Sequence, residues 1–107
     1  DGSHRSFPGS DVTLFFLALL PALRPGVIVH IHDIHLPFDY PAEQANRYWS
    51  EHYLLATWLL GGTEGFEVIL PGARLSALPE LQPRLTAALG AFATNAPRSS
   101  SFWLRRT

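Results

Sequence analysis

The sequence predicts a layered α/β fold, and three observations carry that expectation. Stretches of helical periodicity alternate with short apolar runs, which is the pattern of helices laid against a sheet. Val27–Ile31 is short, continuous and rich in β-branched residues, as expected of a parallel strand covered on both faces. A 47% hydrophobic content with only 16% charged residues allows a core to form and excludes a disordered chain.

The elements follow in order. Asp11 is placed to cap a first helix, on which Val12, Phe15, Phe16, Leu19, Leu20 and Leu23 recur at helical spacing. Pro21 kinks or ends it, and Arg24-Pro25-Gly26 turns the chain into the Val27–Ile31 strand, which reads as central. The proline-punctuated loop Leu36–Pro41 follows. A second helix is expected from Ala42 to Leu60, stopped by Gly61-Gly62. Phe66–Leu70 reads as a strand closed by Pro71-Gly72. Leu81, Leu85, Ala88, Leu89 and Phe92 mark a third helix, with Pro79 and Pro83 competing for its first turn. A polar loop at Asn95–Ser99 leads to a last strand, Ser101–Leu104. Three strands make a thin sheet, so an unpaired edge is expected to seek another chain.

Several function classes drop out. The 107 residues carry a net charge of −1, and the arginines are scattered, so there is no electrostatic footprint for nucleic acid. With no cysteine, disulfides and thiolate metal sites are excluded. The longest apolar stretch, Leu14–Leu20, is far short of the roughly 20 residues that span a bilayer, and no basic region of a signal peptide precedes it. A cytoplasmic location is the default. The chain has neither methionine nor lysine. From the first absence the chain is expected to be a fragment, with residues 1–107 forming a single partial domain, and the second, with abundant Leu, Ala and Pro, points to a GC-rich bacterial genome.

The chemistry concentrates where the Val27 strand runs out, in His30-Ile31-His32-Asp33-Ile34-His35. Ligands of open α/β sheets bind beyond the carboxyl ends of strands. His30 and His32 share one face of a strand and Asp33 lies on the other, but a strand ending near Asp33 brings His32 and Asp33 to one crevice. Imidazole with carboxylate suits Zn, Fe, Mn or Ni. His30 reads as a core histidine and His35 as solvated. A second cluster, Asp1-Gly2-Ser3-His4, offers a carboxylate for a cation and an imidazole suited to take a proton near neutral pH. Tyr48, Trp49, Tyr53 and Trp58 read as helix core, Phe38-Asp39-Tyr40 as a stiff loop over the crevice, and Glu51 and Glu67 as solvated. An H-x-H pair also fits metal-binding cupin barrels, but a nearby glutamate and an all-β context are missing. No G-x-G-x-x-G follows a strand, and no serine sits in a nucleophile elbow.

Taken together, Asp1-Gly2-Ser3-His4, Asp11-Val12, Leu20-Pro21, Leu23-Arg24-Pro25-Gly26 and the run from His30 through Pro41 resemble the C-terminal half of class I S-adenosylmethionine-dependent methyltransferases. The likeness is to a bacterial subfamily with a D-x-x-H loop after strand four and H-D-I-x-x-P after strand five. Trp49–Leu55 and Ser101–Leu104 also fit, so the resemblance covers nearly the whole chain. It implies a Rossmann-like, doubly wound sheet in which Val27–Ile31 is strand five, Phe66–Leu70 strand six and Phe102–Leu104 an antiparallel strand seven, with flanking helices.

By the same resemblance, metal-dependent O-methyltransferases hold a divalent cation at positions matching Asp1, His32 and Asp33, and a histidine matching His4 serves as general base. His32 stands where relatives usually have a carboxylate, which leaves room for a metal softer than magnesium, or for none. The N-terminal S-adenosylmethionine-binding half, with its glycine-rich loop and ribose-binding acid, is absent from these residues. The chain alone is therefore expected not to bind that cofactor and to be inactive. Its expected partners are a small-molecule acceptor, and either the missing half or a second copy to cover the sheet edge. Two other readings stand beside this one: a non-catalytic α/β fragment used in dimerisation or partner binding, and a stand-alone His/Asp metal site.

Overall fold

The computed structural model describes residues 2–92 and 98–107. Its centre is a three-stranded antiparallel sheet with flanking helices. The strands are β1 (Ile28–Ile31), β2 (Phe66–Pro71) and β3 (Phe102–Arg106), in the spatial order β1-β3-β2. The expected antiparallel last strand is found. It lies in the middle, however, so β1 and β2 are aligned with each other but both pair with β3.

That arrangement corrects the reading of β1 as a central, parallel strand covered on both faces. Its burial alternates, with Val29 and Ile31 inside while Ile28 is 58% exposed. The register explains the pattern. Val29 faces Leu104 and Ile31 faces Phe102 across the ladder, all four on the core side, whereas Ile28 and His30 lie opposite Arg105 and Trp103 on the other. A continuous apolar run carries no mark of which face will be covered. Gly65, before β2, is favoured by its φ of +79°, and its carbonyl accepts from the Arg106 guanidinium, which lies where a Cβ would project.

The first helix begins as α1 (Asp11–Leu14), widens to π geometry over Phe15–Leu19 and tightens to a 3₁₀ turn at Leu20–Ala22. Pro21 has no N–H to give back to the helix, and the ladder changes pitch beside it. The cap is Ser10, whose Oγ accepts from the Thr13 amide, and not Asp11. Val12, Phe16 and Leu20 form the buried stripe. They meet Val29, Ile31, Ile34, Phe102, Leu104 and Leu55 in one core.

The expected Ala42–Leu60 helix is two pieces. A 3₁₀ segment, Ala42–Arg47, stops at Tyr48, whose φ is +54°, and α2 (Glu51–Leu60) starts anew after Ser50. Beyond β2 come α3 (Gly72–Ser76), a 3₁₀ turn at Pro79–Leu81, and α4 (Gln82–Leu89) with Pro83 in its first turn. Each proline thus opens its own short element. Most of the polar loop read at Asn95–Ser99 lies outside the described residues. Among the described residues no helix is long and apolar enough to cross a membrane.

Candidate metal centre

β1 ends at Ile31, and the next two residues form the site. Asp33 has a φ of +57°, a left-handed conformation that breaks strand alternation. Its carboxylate therefore comes within 3.2 Å of His32 Nδ1 on what should have been the opposite side. The lead-in to β3 holds it there: Ser100 Oγ donates to Asp33 Oδ1 at 3.3 Å, and the Ile34 amide donates to the Ser100 carbonyl at 2.9 Å.

His4 arrives from the opening segment and is 5% exposed. Its backbone, also left-handed at φ +56°, directs its carbonyl at the start of α2, where it accepts from the Ser50 and Glu51 amides at 2.7 and 3.1 Å. Helix starts leave such amides without intrahelical partners. Here the Ser50 side chain does not cap the helix; its Oγ accepts from the Ser6 amide instead. His4 Nδ1 lies 2.7 Å from Glu51 Oε2. A carboxylate only accepts, so Nδ1 carries the hydrogen, and Nε2 lies 3.7 Å from Asp33 Oδ2. The His4 ring meets His32 edge-on at 4.8 Å and Trp49 at 4.5 Å between centroids.

His4, His32 and Asp33 each offer one ligand atom, and these atoms lie within 4.8 Å of one another. A metal–nitrogen or metal–oxygen bond is about 2.0–2.2 Å, so two trans ligands stand roughly 4.2 Å apart and small side-chain adjustments would close this group on one ion. Two imidazoles and a carboxylate suit a borderline transition metal. The Glu51–His4 hydrogen bond matches the carboxylate–histidine pairing that orients metal ligands. The group fits a divalent transition metal. It opens onto a cavity of about 290 Å³ that His4, His32, Asp11, Phe15 and Glu51 help to line. Asp11 accepts from the Ser3 amide and hydroxyl, which hold its carboxyl below the usual range.

The structure thus brings together three of the four residues singled out from sequence. The fourth, Asp1, lies outside the described residues. His30 is not a core histidine. It is exposed, stacked on Trp103 at 4.2 Å and hydrogen-bonded to Ser101 Oγ at 3.1 Å. His35 is half-buried rather than solvated, with Nε2 shielded from solvent. Glu51 is the residue sequence reasoning missed. Placed mid-helix in an unbroken Ala42–Leu60, it read as solvated, whereas it opens α2 and is buried.

The Phe38–Tyr40 loop is pinned to α2. The Tyr53 hydroxyl donates to Asp39 Oδ1, Tyr40 stacks on His52 at 4.0 Å, and the Tyr40 hydroxyl accepts from the His52 amide at 3.1 Å. Burial pushes the Tyr40 hydroxyl up to about 12. The Tyr53 bond holds Asp39 low, and burial lowers His52. A scan against protein-family models and searches of curated proteins and of solved structures return no match for this chain.

Proposed function

We propose that the chain carries the acceptor-activating end of an S-adenosylmethionine-dependent O-methyltransferase, with a divalent metal held by His32 and Asp33 beside His4. One observation carries the reading: an imidazole held by a carboxylate converges with a histidine and an aspartate at the carboxyl end of β1. The antiparallel last strand and the resemblance of the His30–Pro41 run support it.

The residues divide the work as follows. Glu51 fixes the tautomer and the orientation of His4, so that Nε2 faces the site. His4 Nε2 then takes the proton of the acceptor hydroxyl. His32 and Asp33 would hold the divalent ion, whose charge would lower the pKa of that hydroxyl. One nitrogen cannot be ligand and base together, so His4 as base leaves His32 and Asp33 as the protein's ligands. No residue here is assigned to the methyl donor, because the sequence has no glycine-rich loop after a strand.

The test is a titration of purified protein with Co(II) and Zn(II), read by the visible spectrum of the cobalt form and by calorimetry. One equivalent should bind. Asp33→Asn, whose side chain tolerates a left-handed backbone, should weaken binding at least about tenfold. In the natural polypeptide that carries these residues, His4→Ala should abolish transfer of labelled methyl to hydroxyl acceptors while one metal still binds. Metal binding indifferent to Asp33→Asn, or methyl transfer surviving His4→Ala, refutes the proposal.

A further inference from the structure

A separate cavity of about 220 Å³ lies where the Phe38–Tyr40 loop, the 3₁₀ segment Ala42–Arg47 and α2 meet, and none of the candidate metal ligands lines it. Its walls are Asp39, Tyr40, Gln44, Ala45, Trp49 and Tyr53, all from one stretch of chain. Three aromatic rings therefore border one small space. Tyr53 stands 5.6 Å from Tyr40 with the ring planes at 87°, and Trp49 stands 5.9 Å from Tyr40 at 68°. Rings turned across one another can wall a space on several sides, whereas a parallel stack would fill it.

Most polar groups of these walls are committed elsewhere. The Tyr53 hydroxyl donates to Asp39 Oδ1, and the Tyr40 hydroxyl accepts from the His52 amide. Both phenols stay neutral near neutral pH, because burial pushes Tyr40 up to about 12 and the bond to Asp39 raises Tyr53. Gln44 Oε1 is shielded from solvent, so an entering ligand cannot reach it. Asp39 is different. Its carboxyl is exposed, is held below its ordinary value by the Tyr53 hydroxyl and so is ionised, and has no arginine partner among the described residues. Both of its hydrogen bonds fall on Oδ1, which leaves Oδ2 open. Trp49 already draws one cation: the Arg47 guanidinium, outside the cavity walls, lies 4.6 Å from its ring centroid.

Aromatic walls with one open carboxylate select for a particular cation. An ammonium or guanidinium brings several N–H donors, and a single free oxygen would leave most of them unpaired. A quaternary ammonium brings none; its methyl groups carry the positive charge against the rings, and the carboxylate attracts that charge. The volume lies below the roughly 300 Å³ at which small-molecule sites begin, so it suits a head group. We infer that this cavity is an aromatic cage for the quaternary ammonium head of a small choline-like cation, with Tyr40, Trp49 and Tyr53 around the methyl groups and Asp39 beside the charge. The inference depends on neither a metal nor methyl transfer.

The probe is choline, followed on the intact chain by the chemical shifts of the tryptophan indole and backbone amide protons. Saturable shifts should centre on the Trp49 indole and on the Gln44 and Ala45 amides. The neutral isostere 3,3-dimethylbutanol, which has choline's shape without its charge, and ethanolamine, which has the charge without the methyl groups, should each bind at least about fivefold more weakly. Tyr53→Leu, at an exposed position, should cost choline a similar factor, whereas Tyr53→Phe keeps the ring and should stay within about twofold of the parent. Asp39→Asn, which keeps an acceptor for the Tyr53 hydroxyl and the Tyr40 amide, should weaken choline and leave the neutral alcohol unchanged. A trimethyllysine peptide should bind no more tightly than choline, since only its head group enters. No saturable shift at these residues, equal affinity for choline and the neutral alcohol, or choline affinity unchanged by both Tyr53→Leu and Asp39→Asn overturns the inference, and a peptide that binds more tightly than choline overturns the assignment to a small molecule.

Discussion

Replacing Glu51 tests how the candidate site is bound into the fold. Its carboxylate accepts from His4 Nδ1 at 2.7 Å, and both residues are buried. A buried hydrogen bond to a charged group contributes about 1.5–3 kcal/mol, and an acid in the first turn of a helix adds about 0.3–1 kcal/mol through the helix dipole. Glu51→Ala removes both contributions. It should therefore lower the unfolding free energy by about 3 kcal/mol, a fall in Tm of roughly 15 °C for a chain of this size. Glu51→Gln keeps the shape and an acceptor oxygen, so it should cost about 1 kcal/mol. The stability arm is read by urea unfolding, monitored through tryptophan fluorescence. The same two variants, titrated with Co(II), should keep nearly the parent affinity, because His4 stands beside the ion as the base; a loss of about 10–100-fold, the effect of removing the carboxylate that orients a ligating histidine, would refute that assignment. A Glu51→Ala protein within about 0.5 kcal/mol of the parent would refute the premise that this contact anchors the site.

Two further outcomes follow from the core and from a buried histidine. Leu104 is fully buried on the central strand, opposite Val29 and Val68, so Leu104→Ala should cost about 2–5 kcal/mol in the same urea assay, whereas the exposed Leu17→Ala should change little. His52 is buried against Tyr40, and burial lowers its pKa from the ordinary 6.5. As pH falls the unfolded chain takes up that proton first, so this contribution is complete above pH 6.5 and is lost as pH drops through the lower folded value. Unfolding curves from neutral to mildly acid pH should show that decline, and His52→Phe, which keeps a ring on Tyr40, should flatten it.

Much of the architecture was legible because local patterns report local structure. The apolar runs at Val27–Ile31 and Phe66–Leu70 announce strands, and the stripe from Val12 to Leu20 announces a helix. What periodicity does not encode is the neighbour. That β3 lies between β1 and β2 depends on pairings distant in sequence, and this placement turned an expected central strand into an edge. The helix break at Tyr48 was hidden because Ala45 and Trp49 keep helical spacing across a residue whose backbone is left-handed. The same break concealed Glu51. His32 and Asp33 stood out because ionisable groups crowd a strand end, but their convergence relies on a backbone angle at Asp33 that no pattern of side chains displays.

The sheet order also sets when the candidate site can exist. During synthesis the segments that become β1 and β2 leave the ribosome without a companion, since each pairs with β3 and not with the other. Their backbone donors and acceptors stay open to wrong associations until residues 102–106 emerge. Ser100, which steadies Asp33, arrives only just ahead of them. A metal that requires His32 and Asp33 in their final positions would thus act as a late clasp, stabilising finished molecules over nascent ones by mass action.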